Sequence, residues 1–150
     1  MLRTLLKREE SYGVHALLSV ARTPGITTPE MAEQLNIPPA FLAKVVAKLA
    51  KAGLLASQTG RRGGLQLRAD LGMVSLLTVI EALSGPVVMD TCQLKPRCAT
   101  EERSGRCGLK PVWLETTLAV RGILEGVKLA ALDGGIDPQG ADPRPARRSS

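Results

Sequence analysis

A chain of 150 residues, 44% hydrophobic and 23% charged, can bury one core and carry one appended element, and its formal net charge of +6 suits a polyanionic partner. No run approaches the roughly 20 apolar residues of a spanning helix, and Met1-Leu2-Arg3-Thr4 leads into charged residues without an apolar leader, so no membrane partner and a cytoplasmic location are expected. Tyr12, Phe41 and Trp113 are the only aromatic residues, too few to stack single-stranded bases, which leaves duplex DNA as the favoured polyanion.

In chain order, the proline-free spacing of Leu6, Val14, Leu17, Leu18 and Ala21 predicts a helix over 4–21, ended by Arg22-Thr23-Pro24-Gly25. Thr28 reads as the N-cap of a short second helix, with Pro29 at its first position and Glu30 beside its positive end. Met31 and Leu35 share one face of it, and Asn36 stops it. Pro39 opens a third helix that runs to Gly53, a natural residue beyond a helix end. Leu42, Val45, Val46 and Leu49 form its inward stripe, while Lys44, Lys48 and Lys51 share another face. Lysines on a helix are usually just solvated. The segment after this helix gives these a second reading.

Residues 54–58 and 65–68 read as two short strands joined by Thr59-Gly60-Arg61-Arg62-Gly63-Gly64, which sets two arginines at a glycine-flanked hairpin tip. Two short helices, a lysine-faced third and an arginine-tipped hairpin describe a winged helix-turn-helix, whose third helix enters the major groove. Ser75 caps a fourth helix with Leu76, Val79, Ile80 and Leu83 on one side, ended by Ser84-Gly85-Pro86. A loop over 89–111 holds Cys92, Cys98 and Cys107, the whole cysteine complement. A long helix is expected over 112–132, with Trp113, Leu114, Leu118, Leu124, Val127 and Ala131 among its apolar positions; a symmetry mate is the simplest cover for such a face.

The fold class expected is therefore mainly α with a small β-hairpin wing. A winged helix-turn-helix DNA-binding domain (1–84) precedes a cysteine-bearing sensor loop (85–111), a dimerisation helix (112–132) and a disordered basic tail (133–150). The three thiols have two functional readings. They can ligate an iron–sulfur cluster with a fourth ligand from elsewhere. Alternatively Lys95, Arg97, Arg103 and Arg106 can lower thiol pKa values and make a metal-free redox switch. Zinc is a third possibility, disfavoured because there is no C-x-x-C pair and no nearby histidine. A structural disulfide would leave an odd thiol.

With these residues the chain resembles the IscR-type winged-helix regulators, the family that includes NsrR and CymR, over nearly all of its length to about residue 132. The resemblance rests on Tyr12-Gly13-Val14, on residues 37–42 with Leu49 and Gly53-Leu54, and on the wing Gly60-x-x-Gly63-Gly64-x-x-Leu67. Val79-Ile80-Glu81-Ala82-Leu83 and the cysteine loop leading to Trp113 complete it. It implies a homodimer with crossed C-terminal helices, bound to a pseudo-palindromic duplex operator. It also implies an iron–sulfur cluster of the 2Fe–2S type on Cys92, Cys98 and Cys107, whose state controls operator affinity.

Two departures bear on that cluster. The interval from Cys98 to Cys107 is three residues longer than in the IscR branch, and Lys110 stands where that branch has a ligating histidine. Relatives that take a carboxylate from the partner's first helix match at Ser11, which makes Glu10, Glu9 and His15 candidate fourth ligands. A cluster held this way is labile and can be lost on purification. On the DNA side, Pro39, Ala40, Phe41, Ala43 and Lys44 are expected to face base edges. Lys48, Lys51, Arg61 and Arg62 are expected to face phosphates, and Thr28 and Gly63 complete the DNA-facing set. A metal-free family member governed by cysteine oxidation or by a protein partner is the alternative. A thiol redox enzyme is a further one, against which stands the lack of a C-x-x-C. With one histidine, no P-loop and no G-x-G-x-x-G, no enzyme is expected.

Overall fold

A computed structural model of the chain describes residues 2–60 and 63–135. Helices α1 (Arg8–Arg22), α2 (Thr28–Leu35) and α3 (Pro39–Lys51) precede the hairpin of β1 (Leu55–Gln58) and β2 (Gly64–Leu67); α4 (Leu76–Ser84), α5 (Ala99–Ser104) and α6 (Leu109–Gly126) come after it. This is the expected architecture, mainly helical with one antiparallel wing.

Helix boundaries obey local chemistry. α1 starts later than the predicted residue 4: Lys7 is its N-cap, and the Glu10 carboxylate accepts the Lys7 backbone N–H. The cap of α2 is Thr27, not Thr28. Thr27 and Glu30 close a reciprocal capping box, with the Thr27 N–H reaching the Glu30 carboxylate at 2.8 Å. Asn36 ends α2 in the left-handed region at φ 52°, as its short polar side chain allows.

In the hairpin, Leu55 faces Leu67 and Gln58 faces Gly64. The turn before α2 pairs with the outer edge of β2: the Gly25 N–H donates to the Leu65 carbonyl and the Leu65 N–H to the Ile26 carbonyl, both at 2.8 Å. Gly64 makes this approach possible. Its φ is +123°, and a Cβ there would lie 1.9 Å from the Gly25 carbonyl oxygen.

Leu17, Leu18, Met31, Leu42, Val45, Leu49, Leu55 and Val79 are fully buried in one core. Leu42, Val45 and Leu49 seat α3 on that core, so its opposite face is left outward. Gly13 lets α1 close on α4, because a Cβ there would meet the Leu83 side chain at 2.3 Å.

Two expectations for the second half are corrected. The stretch expected to be a bare loop contains a 3-10 turn (Thr91–Leu94) and α5. The last helix is Leu109–Gly126 rather than 112–132. Beyond it, Ser75 and Lys128 form an antiparallel bridge, with the Leu76 N–H donating to the Val127 carbonyl and the Leu129 N–H to the Val74 carbonyl at 2.9 Å each. Leu129 is fully buried, so this segment completes the core built by the first four helices and the hairpin. The tail expected from residue 133 begins instead within a 3-10 turn (Leu129–Gly135), with Asp133 paired to Arg22 at 2.9 Å. Residues 136–150 lie outside the described residues.

Candidate nucleic-acid interface and cysteine loop

Pro38 caps α3 and Pro39 opens it; their fixed φ starts the helix where the missing N–H costs nothing. Ala40, Phe41, Ala43, Lys44 and Lys51 are exposed along its outward side. Phe41 is steadied from below by Tyr12, edge to face at 5.5 Å. Arg8 joins Lys44 at the shallow groove over Pro38, Ala40 and Phe41. Sequence reasoning missed Arg8, since a lone arginine at a helix start carries no signal of its own.

Lys48, exposed on the same side, also has partners within the fold. Its ammonium pairs with the Glu9 carboxylate and donates to the Leu83 carbonyl at 3.1 Å, tying α3 to α1 and α4. Thr28 is half-buried in the first turn of α2, and Gly63 is half-buried at the base of the wing. The wing-tip arginines, Arg61 and Arg62, lie outside the described residues.

Cys92, Cys98 and Cys107 are free and half-buried. Asp90 fixes the first: its carboxylate accepts the Cys92 backbone N–H at 2.8 Å, which holds that carboxyl below the usual carboxylate range. Cys98 is the N-cap of α5. The Glu101 carboxylate accepts the Cys98 backbone N–H at 3.4 Å. Cys107 lies two residues before α6.

Desolvation first, then its bond to Asp90 and the nearby Cys98 and Cys107, push the Cys92 thiol up. Lys110 turns to Glu101, at 2.8 Å. Of the fourth-ligand candidates, Glu9 is paired with Lys48, and buried Glu10 caps α1. His15 is exposed on α1, beside Ser19 and Gln34.

The loop is fastened to the helical body at two places. The Thr117 hydroxyl accepts the Met89 N–H at 2.9 Å and donates to the Gln93 side-chain oxygen at 2.8 Å. Glu81 of α4 pairs with Arg121 of α6 and accepts the Val87 N–H at 3.1 Å. Thr117 is the one buried residue of α6. Leu109, Val112 and Ile123 are exposed on one flank of that helix, and Leu114 and Leu118 on another. An apolar cavity of about 420 Å³ lies beside it, lined by Leu5, Leu6, Ile80, Pro86, Met89 and Leu124.

As to an iron–sulfur group, no three His, Cys, Asp or Glu side chains among the described residues are already gathered to hold a metal ion. Cys92, Cys98 and Cys107 are free thiols in one loop and supply donors of the right kind for three of its corners, without being drawn together. No helix among the described residues is long and apolar enough to cross a membrane.

Comparison with known proteins agrees with this geometry. The model of the Rrf2 family, described as an iron-dependent transcriptional regulator, matches residues 6–133. The chain is 32% identical over 125 residues to the HTH-type transcriptional regulator IscR of Vibrio vulnificus, covering 81% of this chain and 72% of that protein. CymR of Staphylococcus aureus has a similar structure, with a TM-score of 0.64 at 27% identity over 87% of this chain and 99% of that one. IscR of T. potens shares the fold, with a TM-score of 0.68 at 23% identity over 94% and 93% of the two chains.

Proposed function

We infer from the Rrf2 family of iron-dependent transcriptional regulators, to which this chain belongs, that it is a homodimeric DNA-binding regulator whose operator affinity is set by an iron–sulfur cluster on its cysteine loop. The observation that carries the reading is the attachment of that loop: Met89 and Gln93, three residues before Cys92 and one after it, are both hydrogen-bonded to Thr117 inside α6. A change in the loop therefore reaches the helix that the dimer would use.

Each part of the chain has a physical task. The outward side of α3 offers Ala40, Phe41 and Ala43 to base edges, with Lys44, Lys51 and the wing arginines Arg61 and Arg62 on phosphates. With few hydrogen-bond donors at the start of α3, sequence is read largely through DNA shape. The apolar flanks of α6 are covered by a second copy, which sets two recognition helices about one helical turn of DNA apart. Cys92, Cys98 and Cys107 supply three thiolates. The cluster, when bound, supplies an iron- and redox-sensitive cross-link between the two ends of the loop. The loop transmits its order to α6 through Thr117 and to α4 through Glu81 and Arg121.

An anaerobic visible spectrum with iron and sulfide assay tests the sensor. Visible bands with stoichiometric sulfide, lost in each of Cys92→Ala, Cys98→Ala and Cys107→Ala, are expected. A colourless wild type after anaerobic reconstitution refutes cluster sensing and leaves thiol oxidation or a protein partner as the signal.

A further inference from the structure

Phe41 is a large apolar side chain left 37% exposed on the outward side of α3. Tyr12 of α1 meets its ring edge to face, with centroids 5.5 Å apart and planes at 84°, which holds the ring without covering it. Pro38 and Ala40 continue the apolar floor of the shallow groove in front of the ring, and Arg8 and Lys44 border it. Arg8 stands one turn before Tyr12 on the same face of α1. One side of that helix therefore supplies both the support for the ring and a cation beside it. Neither Arg8 nor Lys44 has a carboxylate partner among the described residues, and the neighbouring Glu9 is taken by Lys48.

We propose that Phe41 reads the C5 methyl group of a thymine in the major groove, with Arg8 and Lys44 on neighbouring phosphates. The inference rests on the DNA-binding reading above and does not depend on the cluster.

Pro38, Ala40 and Phe41 offer no side-chain donor or acceptor, so the polar base edges of the major groove find no match among them. The thymine methyl is the apolar group that groove presents. Burying it against a ring already held in place removes apolar area from water without the cost of ordering the ring. The two cations select the class of partner. An apolar protein surface would leave both charges uncompensated, whereas a duplex sets phosphates beside each base edge. A methyl contact needs no hydrogen-bond donor, so it adds direct readout at one position to a readout of DNA shape elsewhere.

The test starts from the full-length protein, cluster-loaded and cluster-free, selecting duplexes from a random pool without oxygen. Each thymine of the enriched sequence is then replaced by deoxyuridine, which removes that methyl and nothing else. At one position per half-site the replacement is expected to weaken wild-type binding about fourfold, the worth of one buried methyl group. Phe41→Ala binds the thymine and uracil duplexes alike, and Phe41→Leu retains part of the preference. Arg8→Met keeps the preference while lowering the slope of log affinity against log salt by about 1 per subunit. Low salt keeps the weakened variants bound, and far-ultraviolet dichroism checks their fold; the uracil replacement itself needs no variant. Enriched half-sites that lack thymine, or that wild type binds equally with uracil at every position, overturn this inference alone. So does a thymine preference that survives in Phe41→Ala. An unchanged salt slope in Arg8→Met overturns the place given to Arg8. A pool from which no duplex is enriched overturns the inference together with the DNA-binding reading it rests on.

Discussion

At the scale of single residues, exposure alone does not assign a role, and the lysines of α3 make the point. Lys44 and Lys51 are exposed, whereas Lys48 on the same face is spent on Glu9 and the Leu83 carbonyl. Lys44→Met and Lys51→Met should each reduce the slope of log operator affinity against log salt by about 1 per subunit. Lys48→Met should leave that slope unchanged and lower stability by about 0.5–1 kcal/mol, read by thermal melting. A reduced slope in Lys48→Met would return it to the DNA contacts. Periodicity places all three lysines correctly on one face; it cannot show that α1 brings a carboxylate to one of them.

The thiol of Cys92 carries a second residue-scale prediction. Desolvation, Asp90 and the neighbouring thiols all raise its pKa, so its thiolate forms only as pH climbs above the ordinary cysteine value of about 8.5. Alkylation of Cys92 in the apoprotein, monitored by mass spectrometry, should rise through a midpoint above that value. A midpoint below it would favour the metal-free redox switch. The carboxylates behave oppositely. Asp90 and Glu101 have lowered pKa values from the Cys92 N–H and Lys110 respectively, so the stability they confer is present above about pH 4 and is lost on acidification.

At the scale of elements, the wing and the last helix show what patterning reads and what it misses. The hairpin is legible because its two glycine-rich flanks announce a turn. The pairing of β2 with residues 25 and 26 is not, because it joins segments far apart in sequence. Gly64→Ala should cost at least about 1–2 kcal/mol from the left-handed φ alone, with more from the overlap with Gly25; a Tm equal to wild type would contradict this close approach.

The last helix is shorter than its pattern suggests because Val127 and Ala131 continue an apolar spacing past its end. Those residues instead turn back along Val74 and Ser75, and buried Leu129 belongs to the core beneath α1. Leu129→Ala should therefore destabilise the fold by about 2–5 kcal/mol, whereas Ile123→Glu should leave the monomer folded and separate the subunits in sedimentation. Helix α5 escapes notice in the sequence because a cysteine is an uncommon cap, although Glu101 three residues on is the usual partner of one. The same spacing, Thr27 to Glu30, is open to view at α2.

At the scale of the whole molecule, the hydrogen-bonded ties form one route from the cysteine loop to α3, the proposed recognition helix. Gln93 and Met89 hold Thr117 of α6. Arg121, one turn further along, holds Glu81 of α4, and the Leu83 carbonyl near the end of α4 receives Lys48 of α3. Membership of the family and the helical architecture are legible from motif order. The route is not, since it depends on which side chains meet between elements distant in sequence. Thr117→Val, which removes both of its loop contacts, should preserve cluster uptake and DNA binding while shrinking the dependence of one on the other.

That dependence is the central claim, and it is measured most directly by titrating operator DNA with cluster-loaded and cluster-free forms of one preparation, at one salt concentration and without oxygen. A coupling of about 1–3 kcal/mol predicts affinities that differ at least about fivefold, a difference abolished in Cys92→Ala, Cys98→Ala and Cys107→Ala. Equal affinities for the two forms of the wild type would contradict the account.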